Sequence, residues 1–162
     1  MIIKKKNIRT IVITCALLGI IIFSIHSYNV YMRVQRGKAF AMIFMDLDFF
    51  KPVNDIYGHP VGDEVLCNVG KRIINSIRTA DYAFRIGGDE FACIIDGNGL
   101  ERIERLQKVI CNPYNIHGHK IKIGVSCGYV LYPSDADTVE SLLKIADSRM
   151  YAEKEKHHAD RR

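Results

Sequence analysis

The sequence predicts an α/β fold in a single domain, on the basis of two kinds of apolar pattern. Apolar runs of strand length occupy residues 39–45, 82–84 and 91–95. Segments 61–77 and 138–156 instead carry their apolar residues at helical spacing, which is typical of amphipathic helices that pack on a sheet. A chain of 162 residues is long enough to bury one core of this kind.

The N-terminal region is predicted to hold a membrane anchor. A basic segment, residues 1–10, precedes a largely apolar stretch over residues 11–32, close to the ~20 residues that a transmembrane helix needs. A signal peptide is the rival interpretation, although no convincing cleavage site follows. A short linker, residues 33–38, would join the anchor to the domain. We expect a single-pass protein of the inner (cytoplasmic) membrane with its domain in the cytoplasm, although the basic residues slightly favour the opposite orientation.

The first strand of the domain ends in acidic residues. The run from Ala39 to Met45 is almost wholly apolar, as in a buried central strand, and Asp46 and Asp48 follow it. Alternation along a strand places these two aspartates on the same side. Ionised carboxylates at the end of a buried strand are costly unless they are paired or bind a cation.

A second acidic pair lies at a predicted hairpin turn. Gly87 and Gly88 would join two strands, and Asp89 and Glu90 come next. A solvated hairpin tip is the simpler interpretation of that pair alone. Together with Asp46, however, Asp89 could hold Mg²⁺, which takes its remaining ligands from phosphate oxygens and water. This combination predicts phosphoryl or nucleotidyl transfer with the metal as Lewis acid.

The rest of the chain is predicted as helices and strands in the following order. A short helix over residues 50–57 ends at Gly58-His59-Pro60, and the amphipathic helix over 61–77 follows. The later elements are a helix over 98–112, a strand over 120–131 in a hairpin with 114–117 across Gly118, a helix over 138–156 and a polar tail, 157–162.

Composition excludes several classes of protein. The net charge is +5, but the basic residues are spread over both ends and no basic stripe with aromatic residues is evident. We therefore predict no binding to nucleic acid. The chain also lacks a Walker-type phosphate loop and a nucleophile elbow, which argues against P-loop nucleotidases and serine hydrolases.

Several motifs in this chain resemble those of the GGDEF-domain diguanylate cyclases. The resemblance covers about residues 38–156, which we predict to be a GGDEF domain over 39–156. The residues that carry it are Arg85-Ile86-Gly87-Gly88-Asp89-Glu90-Phe91, Asp46-Leu47-Asp48-Phe49-Phe50-Lys51, Asn54-Asp55, Gly58-His59, Gly62-Asp63, Ala146-Asp147, Met150-Tyr151 and Lys154.

The resemblance implies a fold and an activity. The fold would be a mostly antiparallel central sheet flanked by helices, like the palm of nucleotide cyclases. The activity would be the condensation of two GTP molecules into cyclic di-GMP and two pyrophosphates, with Mg²⁺ or Mn²⁺. Because the product has two-fold symmetry, a homodimer would be required. The alternative is a catalytically inactive receptor that binds GTP or cyclic di-GMP.

The resemblance also implies roles for individual residues. The metal ligands would be Asp46, the Leu47 carbonyl and Asp89, and Asp89 or Glu90 would help to deprotonate the attacking hydroxyl. The implied substrate contacts are the amides near Phe49 and Phe50 with Lys51 and Lys154 on the phosphates, and Asn54, Asp63 and His59 around the guanine. Taken alone, Asn54 and Asp63 are as readily explained as capping or turn residues, His59 as a structural histidine and Lys154 as a solvated lysine.

Feedback inhibition by the product is implied by Arg78-Thr79-Ala80-Asp81. Alone, this segment is a helix end with a basic residue near the C-terminal dipole. By resemblance it is an Arg-x-x-Asp product site, in which Arg78 contacts phosphate or guanine of cyclic di-GMP and Asp81 contacts the base edge.

The chain departs from the family pattern at both ends of the domain. The usual opening turn and helix are missing, and at most the end of that helix survives around residues 31–35. After Lys154, a usual Gly-Arg-Asn is replaced by His157-His158-Ala159, so that His158 stands where the family has a phosphate-binding arginine. Both departures favour the inactive receptor, whereas Asp46, Asp89 and Glu90 favour the enzyme.

Overall fold

A computed structural model describes Tyr28 and residues 30–159. Helix α1 is described over residues 30–35. The other helices are α2 (Phe50–Tyr57), α3 (His59–Ser76), α4 (Leu100–Ile110) and α5 (Val139–Ala159). The strands are β1 (Phe40–Asp48), β2 (Tyr82–Gly87), β3 (Glu90–Asp96), β4 (Tyr114–Ile116), β5 (His119–Ile121) and β6 (Gly124–Tyr132).

The central sheet has four strands in the order β2-β3-β1-β6, and every neighbouring pair is antiparallel. Strand β1 is therefore central, and all but one of its residues are buried. A separate two-stranded sheet contains β4 and β5. The prediction of an α/β fold with a mostly antiparallel sheet flanked by helices is confirmed.

The two faces of the central sheet bury different sets of side chains, because successive residues of β1 point to opposite faces. Ala41, Ile43 and Met45 pack in a cluster with residues of α2, α3 and α4. Phe40 and Met42 pack in a second cluster with residues of α1 and α5. The site at the end of β1 thus rests on a strand that is covered on both faces.

The structure contradicts the predicted membrane localisation. Along Tyr28 and residues 30–159, no helix combines the length and the apolar composition that crossing a bilayer requires. Residues 1–27 and 29, and with them the predicted basic segment and most of the predicted span over 11–32, lie outside the described residues. The described end of that span belongs to the domain, because Val30 is fully buried against Phe40 and Met42.

The segment predicted as a linker, residues 33–38, is in part the end of α1. The Arg33 guanidinium bonds to the Asp96 carboxylate (Nη1 to Oδ1, 2.6 Å) and to the Ala80 carbonyl (2.9 Å). The Tyr132 hydroxyl donates to the Val34 carbonyl at 3.2 Å. Side-chain contacts of this kind fasten α1 to the sheet, so residues 33–35 are helical and packed.

Several element boundaries differ from those predicted, and three of the differences change how the elements are connected or paired. Gly58, with φ of 82°, is the whole break between α2 and α3, so α3 begins at His59 and takes Pro60 into its first turn. The predicted strand over 120–131 is divided: β5 pairs with β4, whereas β6 joins β1 in the central sheet. Helix α5 continues into the predicted tail as far as Ala159.

Candidate active site

The acidic residues predicted to bind metal meet at the end of β1. Asp46 lies opposite Glu90 on β3 and opposite Ser126 on β6 in the strand register. The Leu47 amide donates to the Asp89 carbonyl at 3.2 Å, which ties the hairpin turn to β1. The sheet therefore brings Asp46 of β1 close to Glu90 of β3 and to Asp89 in the adjoining turn, and it buries the Leu47 side chain in the core.

The turn that carries Asp89 is held by glycine and by an arginine. Gly88 has φ of 50°, a left-handed conformation that side chains rarely tolerate, and the ladder between β2 and β3 shifts register between Arg85 and Gly87. Arg85 donates from Nε at 3.0 Å and from Nη2 at 2.8 Å to the Gly88 carbonyl. This clamp fixes the backbone immediately before Asp89.

The two carboxylate oxygens of Asp46 have different surroundings. The residue is only 5% exposed, and Oδ2 accepts a hydrogen bond from Lys154 Nζ at 2.8 Å. Oδ1 is buried and, among the described residues, has no hydrogen-bond partner. A buried carboxylate oxygen without a donor is costly, and a cation bound there would remove the cost.

Electrostatics at this edge of the sheet favour a bound cation. Burial raises the pKa of Glu90, and the charges of Asp46 and Asp89 raise it further. Burial alone would lower the pKa of Lys154, but its hydrogen bond to Asp46 and the charges of Asp46, Asp89 and Asp48 outweigh burial and raise it. The positive charge of Lys154 therefore balances only part of the negative charge of Asp46, Asp89 and Glu90.

The residues present fit a magnesium site that is completed by the substrate. Within residues 30–159 no group of three or more His, Cys, Asp and Glu side chains is placed to hold a metal alone. Asp46 and Asp89 supply two carboxylates, and Mg²⁺ characteristically binds one or two protein carboxylates together with phosphates and water. Lys154 pairs with Asp46 but its side chain is 33% exposed, so a triphosphate could draw it away from the carboxylate.

A strained residue marks the predicted phosphate side of the site. Phe49 adopts a left-handed conformation (φ 60°, ψ 32°) immediately before α2, and strain at a bulky residue often accompanies function. Its ring stacks on His158 with centroids 4.9 Å apart. No described side chain caps the N-terminus of α2, where amides suit an anion. Phe50 is buried and Lys51 is exposed at this end.

The residues predicted around the guanine lie on the α2–α3 pair. Asn54 is half-buried on α2, whereas His59 and Asp63 are exposed at the start of α3. An added Cβ at Gly62 would lie 1.9 Å from Asn54 Oδ1 and 3.3 Å from the Phe50 ring. Gly62 is therefore the residue that allows Asn54 its position, a role that sequence reasoning did not assign.

Asp81 does not occupy the surface position that a product contact requires. Its side chain is completely buried, and Oδ2 accepts bonds from the Arg78 amide (2.9 Å) and Arg102 Nη1 (3.0 Å). Oδ1 accepts from the Asp96 amide at 2.9 Å. The contact of Asp81 with a base edge stays a prediction, and it would require this carboxylate to give up one of its internal partners; Arg78 is exposed.

A polar cluster beside the site was missed by sequence reasoning. Asp48 accepts from Ser126 Oγ at 2.6 Å and lies 2.7 Å from His157 Nδ1. The signals were a serine within an otherwise apolar strand and a histidine at a departure from the family pattern. His157, predicted to lie in a polar tail, instead belongs to α5 and to the domain.

Fold and site together define a class of protein: an α/β domain whose antiparallel sheet gathers carboxylates and a lysine at the end of its central strand, an arrangement suited to a metal and a phosphate-bearing substrate. The family model "Diguanylate cyclase, GGDEF domain" matches residues 23–160. The chain belongs to the GGDEF-domain diguanylate cyclase family.

Individual relatives agree with this assignment. The bifunctional diguanylate cyclase/cyclic di-GMP phosphodiesterase MucR of Pseudomonas aeruginosa is 40% identical over 130 residues, 78% of this chain and 19% of MucR. The solved GGDEF domain of TpbB from Pseudomonas aeruginosa has a TM-score of 0.73 and 32% identity, covering 80% of this chain and 84% of that one.

A third similar protein was solved with a ligand. The GGDEF domain of DgcB from Caulobacter crescentus, in complex with c-di-GMP, has a TM-score of 0.67 and 26% identity, covering 78% of each chain. Curated relatives are longer proteins. The chain spans 19% of MucR and 43% of the diguanylate cyclase DgcS of Shewanella oneidensis.

Proposed function

We propose that this protein is a diguanylate cyclase that condenses two GTP molecules into cyclic di-GMP with release of two pyrophosphates. The observation that carries the proposal is Asp46, whose buried Oδ1 has no donor among the described residues, while Asp89 and Glu90 lie close enough for their charges to interact with it. The names of the relatives MucR and DgcS, both diguanylate cyclases, support the same activity.

Metal and phosphate would be held from two sides of the site. Asp46, Asp89 and the Leu47 carbonyl are the proposed ligands for Mg²⁺ or Mn²⁺, which when bound would supply charge stabilisation to the phosphates. The α2 N-terminus at Phe49 and Phe50, together with Lys51, would bind the triphosphate. Lys154 would exchange its bond with Asp46 for one with a phosphate oxygen.

The guanine would lie between α2 and α3. Asp63 can accept hydrogen bonds from the N1 and N2 donors of the base, and Asn54 can serve O6 or N3. His59, exposed at the start of α3, is a further candidate for this pocket. The missing side chain at Gly62 leaves the space that Asn54 occupies, so recognition would depend on the spacing of these two helices.

Proton transfer is assigned to the hairpin carboxylates. The 3′-hydroxyl of one GTP attacks the α-phosphorus of the other, its proton passes to a carboxylate and thence to solvent, and pyrophosphate leaves. Glu90 suits the role of base because its raised pKa brings it nearer to neutral pH than an ordinary glutamate. Each protomer would bind one GTP, so two protomers must face each other.

Production of cyclic di-GMP from GTP and Mg²⁺ by the full chain tests the proposal. Asp46→Asn and Asp89→Asn should abolish product, because each removes a proposed metal ligand. Asp137→Asn, which changes an exposed carboxylate in the loop before α5, should leave the rate unchanged. Glu90→Gln should slow the reaction by about 100-fold or more, the usual range for loss of a general base.

The receptor alternative is distinguished by the same samples. A wild-type chain that makes no product but binds GTP, or binds cyclic di-GMP through Arg78, would be the inactive receptor. The pairing of Asp46 with Lys154 is the observation that favours this alternative, because it already neutralises one carboxylate. Equal product from wild type and Asp46→Asn would refute the proposed metal site.

A further inference from the structure

A second buried aspartate lies two residues beyond Asp46, and its partners differ from those of Asp46. Asp48 is 2% exposed; its Oδ1 accepts from Ser126 Oγ at 2.6 Å, and its Oδ2 lies 2.7 Å from His157 Nδ1. We call Asp48, Ser126 and His157 the Asp48 cluster. Both oxygens of Asp48 are thus used within the protein, whereas one oxygen of Asp46 has no donor in the part of the chain that the structure describes.

The Asp48 cluster does not have the geometry of a nucleophilic triad. In such a triad the carboxylate and the hydroxyl bond to different ring nitrogens of the histidine. Here Asp48 Oδ2 and Ser126 Oγ both lie within hydrogen-bond distance of His157 Nδ1, at 2.7 and 3.1 Å. Nδ1–H donates to the carboxylate, and Ser126 directs its own hydrogen to Asp48 Oδ1. The cluster is therefore an anchor and not a source of a nucleophile.

The Asp48 cluster joins the C-terminal part of α5 to the end of β1. Lys154 and His157 are three residues apart on one helix and so lie on the same face. Asp46 and Asp48 are two residues apart on one strand and so lie on the same side. The pairs Lys154–Asp46 (2.8 Å) and His157–Asp48 (2.7 Å) consequently run side by side between the two elements.

The space around the Asp48 cluster is tightly filled. An added Cβ at Gly124, the residue opposite Asp48 on β6, would lie 2.8 Å from Asp48 Oδ2. The Cys127 amide of β6 donates to Glu153 of α5. Asp48 therefore has little room to turn towards another partner, and His157 meets a carboxylate of fixed position.

We propose that His157 is a positioning residue, which holds the C-terminal turns of α5 on β1 through Asp48 and thereby sets the place of Lys154 beside Asp46. This inference rests on the proposed function, since Lys154 matters for catalysis only where the site receives a triphosphate. Backbone hydrogen bonds of a helix open locally unless side chains fix its turns to the rest of the fold, and Lys154 lies within the C-terminal turns of α5 that the structure describes, up to Ala159. Loss of the His157 bond frees the turn that carries Lys154.

Hydrogen exchange measures the position of α5 without reference to activity. In the full chain, His157→Ala should speed amide exchange over residues 154–159 and leave β1 protected. His157→Asn should restore slow exchange, because Asn Nδ2 can donate from nearly the place of Nδ1. Lys156→Ala, an exposed change on the same helix, should match the wild type.

Binding of a non-hydrolysable GTP analogue with Mg²⁺ then tests whether His157 affects the site through the position of Lys154. His157→Ala should weaken binding about tenfold, the size of one hydrogen bond to a charged group, and His157→Asn should recover most of the loss. The double variant His157→Ala/Lys154→Ala should bind no more weakly than Lys154→Ala alone, because residues that act as a unit are not additive.

The outcomes separate this inference from the proposed function. Unchanged exchange in His157→Ala, or additive losses in the double variant, would overturn the positioning role. Faster exchange that Asn reverses supports it even when the wild type fails to bind the GTP analogue, in which case the proposed function is the part that fails. Equal loss of binding in His157→Ala and His157→Asn would also overturn it, since rescue by a matching donor is its central expectation.

Discussion

At the scale of single residues, the partners of a carboxylate decide what it can do. Asp46 and Asp48 have the same chemistry and are both buried on β1. Ser126 and His157 satisfy Asp48, whereas within Tyr28 and residues 30–159 Asp46 has a donor to Oδ2 and none to Oδ1. Alternation predicted that the two aspartates lie on one side, but it could not predict which of them stays available. That depends on α5, which is about 100 residues away in sequence.

Glu90→Gln is predicted to stabilise the metal-free protein at neutral pH. The pKa of Glu90 is raised from 4.5 by burial and then by Asp46 and Asp89, so the folded state binds this proton more tightly than the unfolded state. Ionised Glu90 therefore costs stability as pH rises above its ordinary pKa, and the glutamine removes that cost. Thermal unfolding in EDTA should show a higher Tm for the variant at about pH 7 and no difference below about pH 4.

The control for this prediction is Glu104→Gln, which changes an exposed glutamate in the middle of α4. Its Tm should follow the wild type at both pH values. Addition of Mg²⁺ should raise the Tm of the wild type more than that of Glu90→Gln, since the cation relieves repulsion that the variant no longer has. A variant less stable than the wild type at neutral pH would contradict this account of the site.

Asp81→Ala is predicted to destabilise the fold strongly, whereas Arg78→Ala should have almost no effect on stability. Removing Asp81 leaves Arg102 and two backbone amides without their buried partner, which should cost about 3–5 kcal/mol in free energy of unfolding. Arg78 is exposed and bonds to Asp81 through its amide, so its side chain can be removed at a cost within about 0.5 kcal/mol. Urea denaturation of both variants measures this, and equal stability would contradict the structural role of Asp81.

At the scale of elements, α5 sets the geometry of the site because it packs closely on β6. An added Cβ at Gly128 would lie 1.9 Å from the Ala146 carbonyl oxygen and 2.3 Å from the Met150 amide nitrogen. Backbone atoms cannot move aside as a side chain can, so any larger residue forces the helix away from the sheet. The same helix carries Lys154 and His157 one to two turns further on.

Gly128→Ala should therefore destabilise the fold by about 3 kcal/mol or more, the upper part of the range for overpacking. The matched control is Gly70→Ala in α3, where an added Cβ meets no atom within 4 Å. That change should be neutral or stabilise by about 0.4–1 kcal/mol, since alanine has less freedom to lose on folding. Chemical denaturation of the two variants gives the comparison, and a fully stable Gly128→Ala would show that α5 can shift.

The local residue pattern predicted an element well where neighbouring residues alone determine its structure. The helix over 50–57 and the hairpin around Gly88 follow from apolar spacing and turn chemistry alone. The strand over 120–131 was predicted as one piece because alternation continues through it, yet β5 and β6 pair with different partners. Which strand pairs with which depends on residues far away in the chain, and the alternation of apolar residues within one segment does not carry that information.

Among the site residues, the same distinction separates success from failure. The prediction put Asp46 at the end of one strand and Asp89 and Glu90 at a separate hairpin turn, and the pairing of β1 with β3 places Asp46 opposite Glu90. It did not predict the burial of Asp81, which depends on Arg102 from α4. It also ended the domain at residue 156, because residues 157–159 of α5 show no apolar pattern and contact the domain through His157 with Asp48 and through His158 with Phe49. Polar contacts between residues far apart in the chain could not be predicted from the sequence alone.

At the scale of the whole molecule, one hydrogen-bonded chain joins the start of the described domain to the segment that holds Arg78. Arg33 of α1 bonds to Asp96 and to the Ala80 carbonyl, and the Asp96 amide bonds to buried Asp81. Arg102 donates to the Asp96 carbonyl at 2.6 Å. Helix α1 and the segment that carries Arg78 are therefore connected through the same set of hydrogen bonds, which involve Asp81 and Asp96.

The last prediction concerns two copies of the chain. If each protomer holds one GTP, a single protomer cannot form the two-fold product, so the rate per protein molecule should rise with protein concentration until all copies are paired. An excess of Asp46→Asn over a fixed amount of wild type should lower the yield of cyclic di-GMP, because mixed pairs contain one site without its metal ligand. Serum albumin at the same excess is the control. A rate per molecule that is constant over concentrations at which sedimentation finds only monomers would rule out a two-copy reaction.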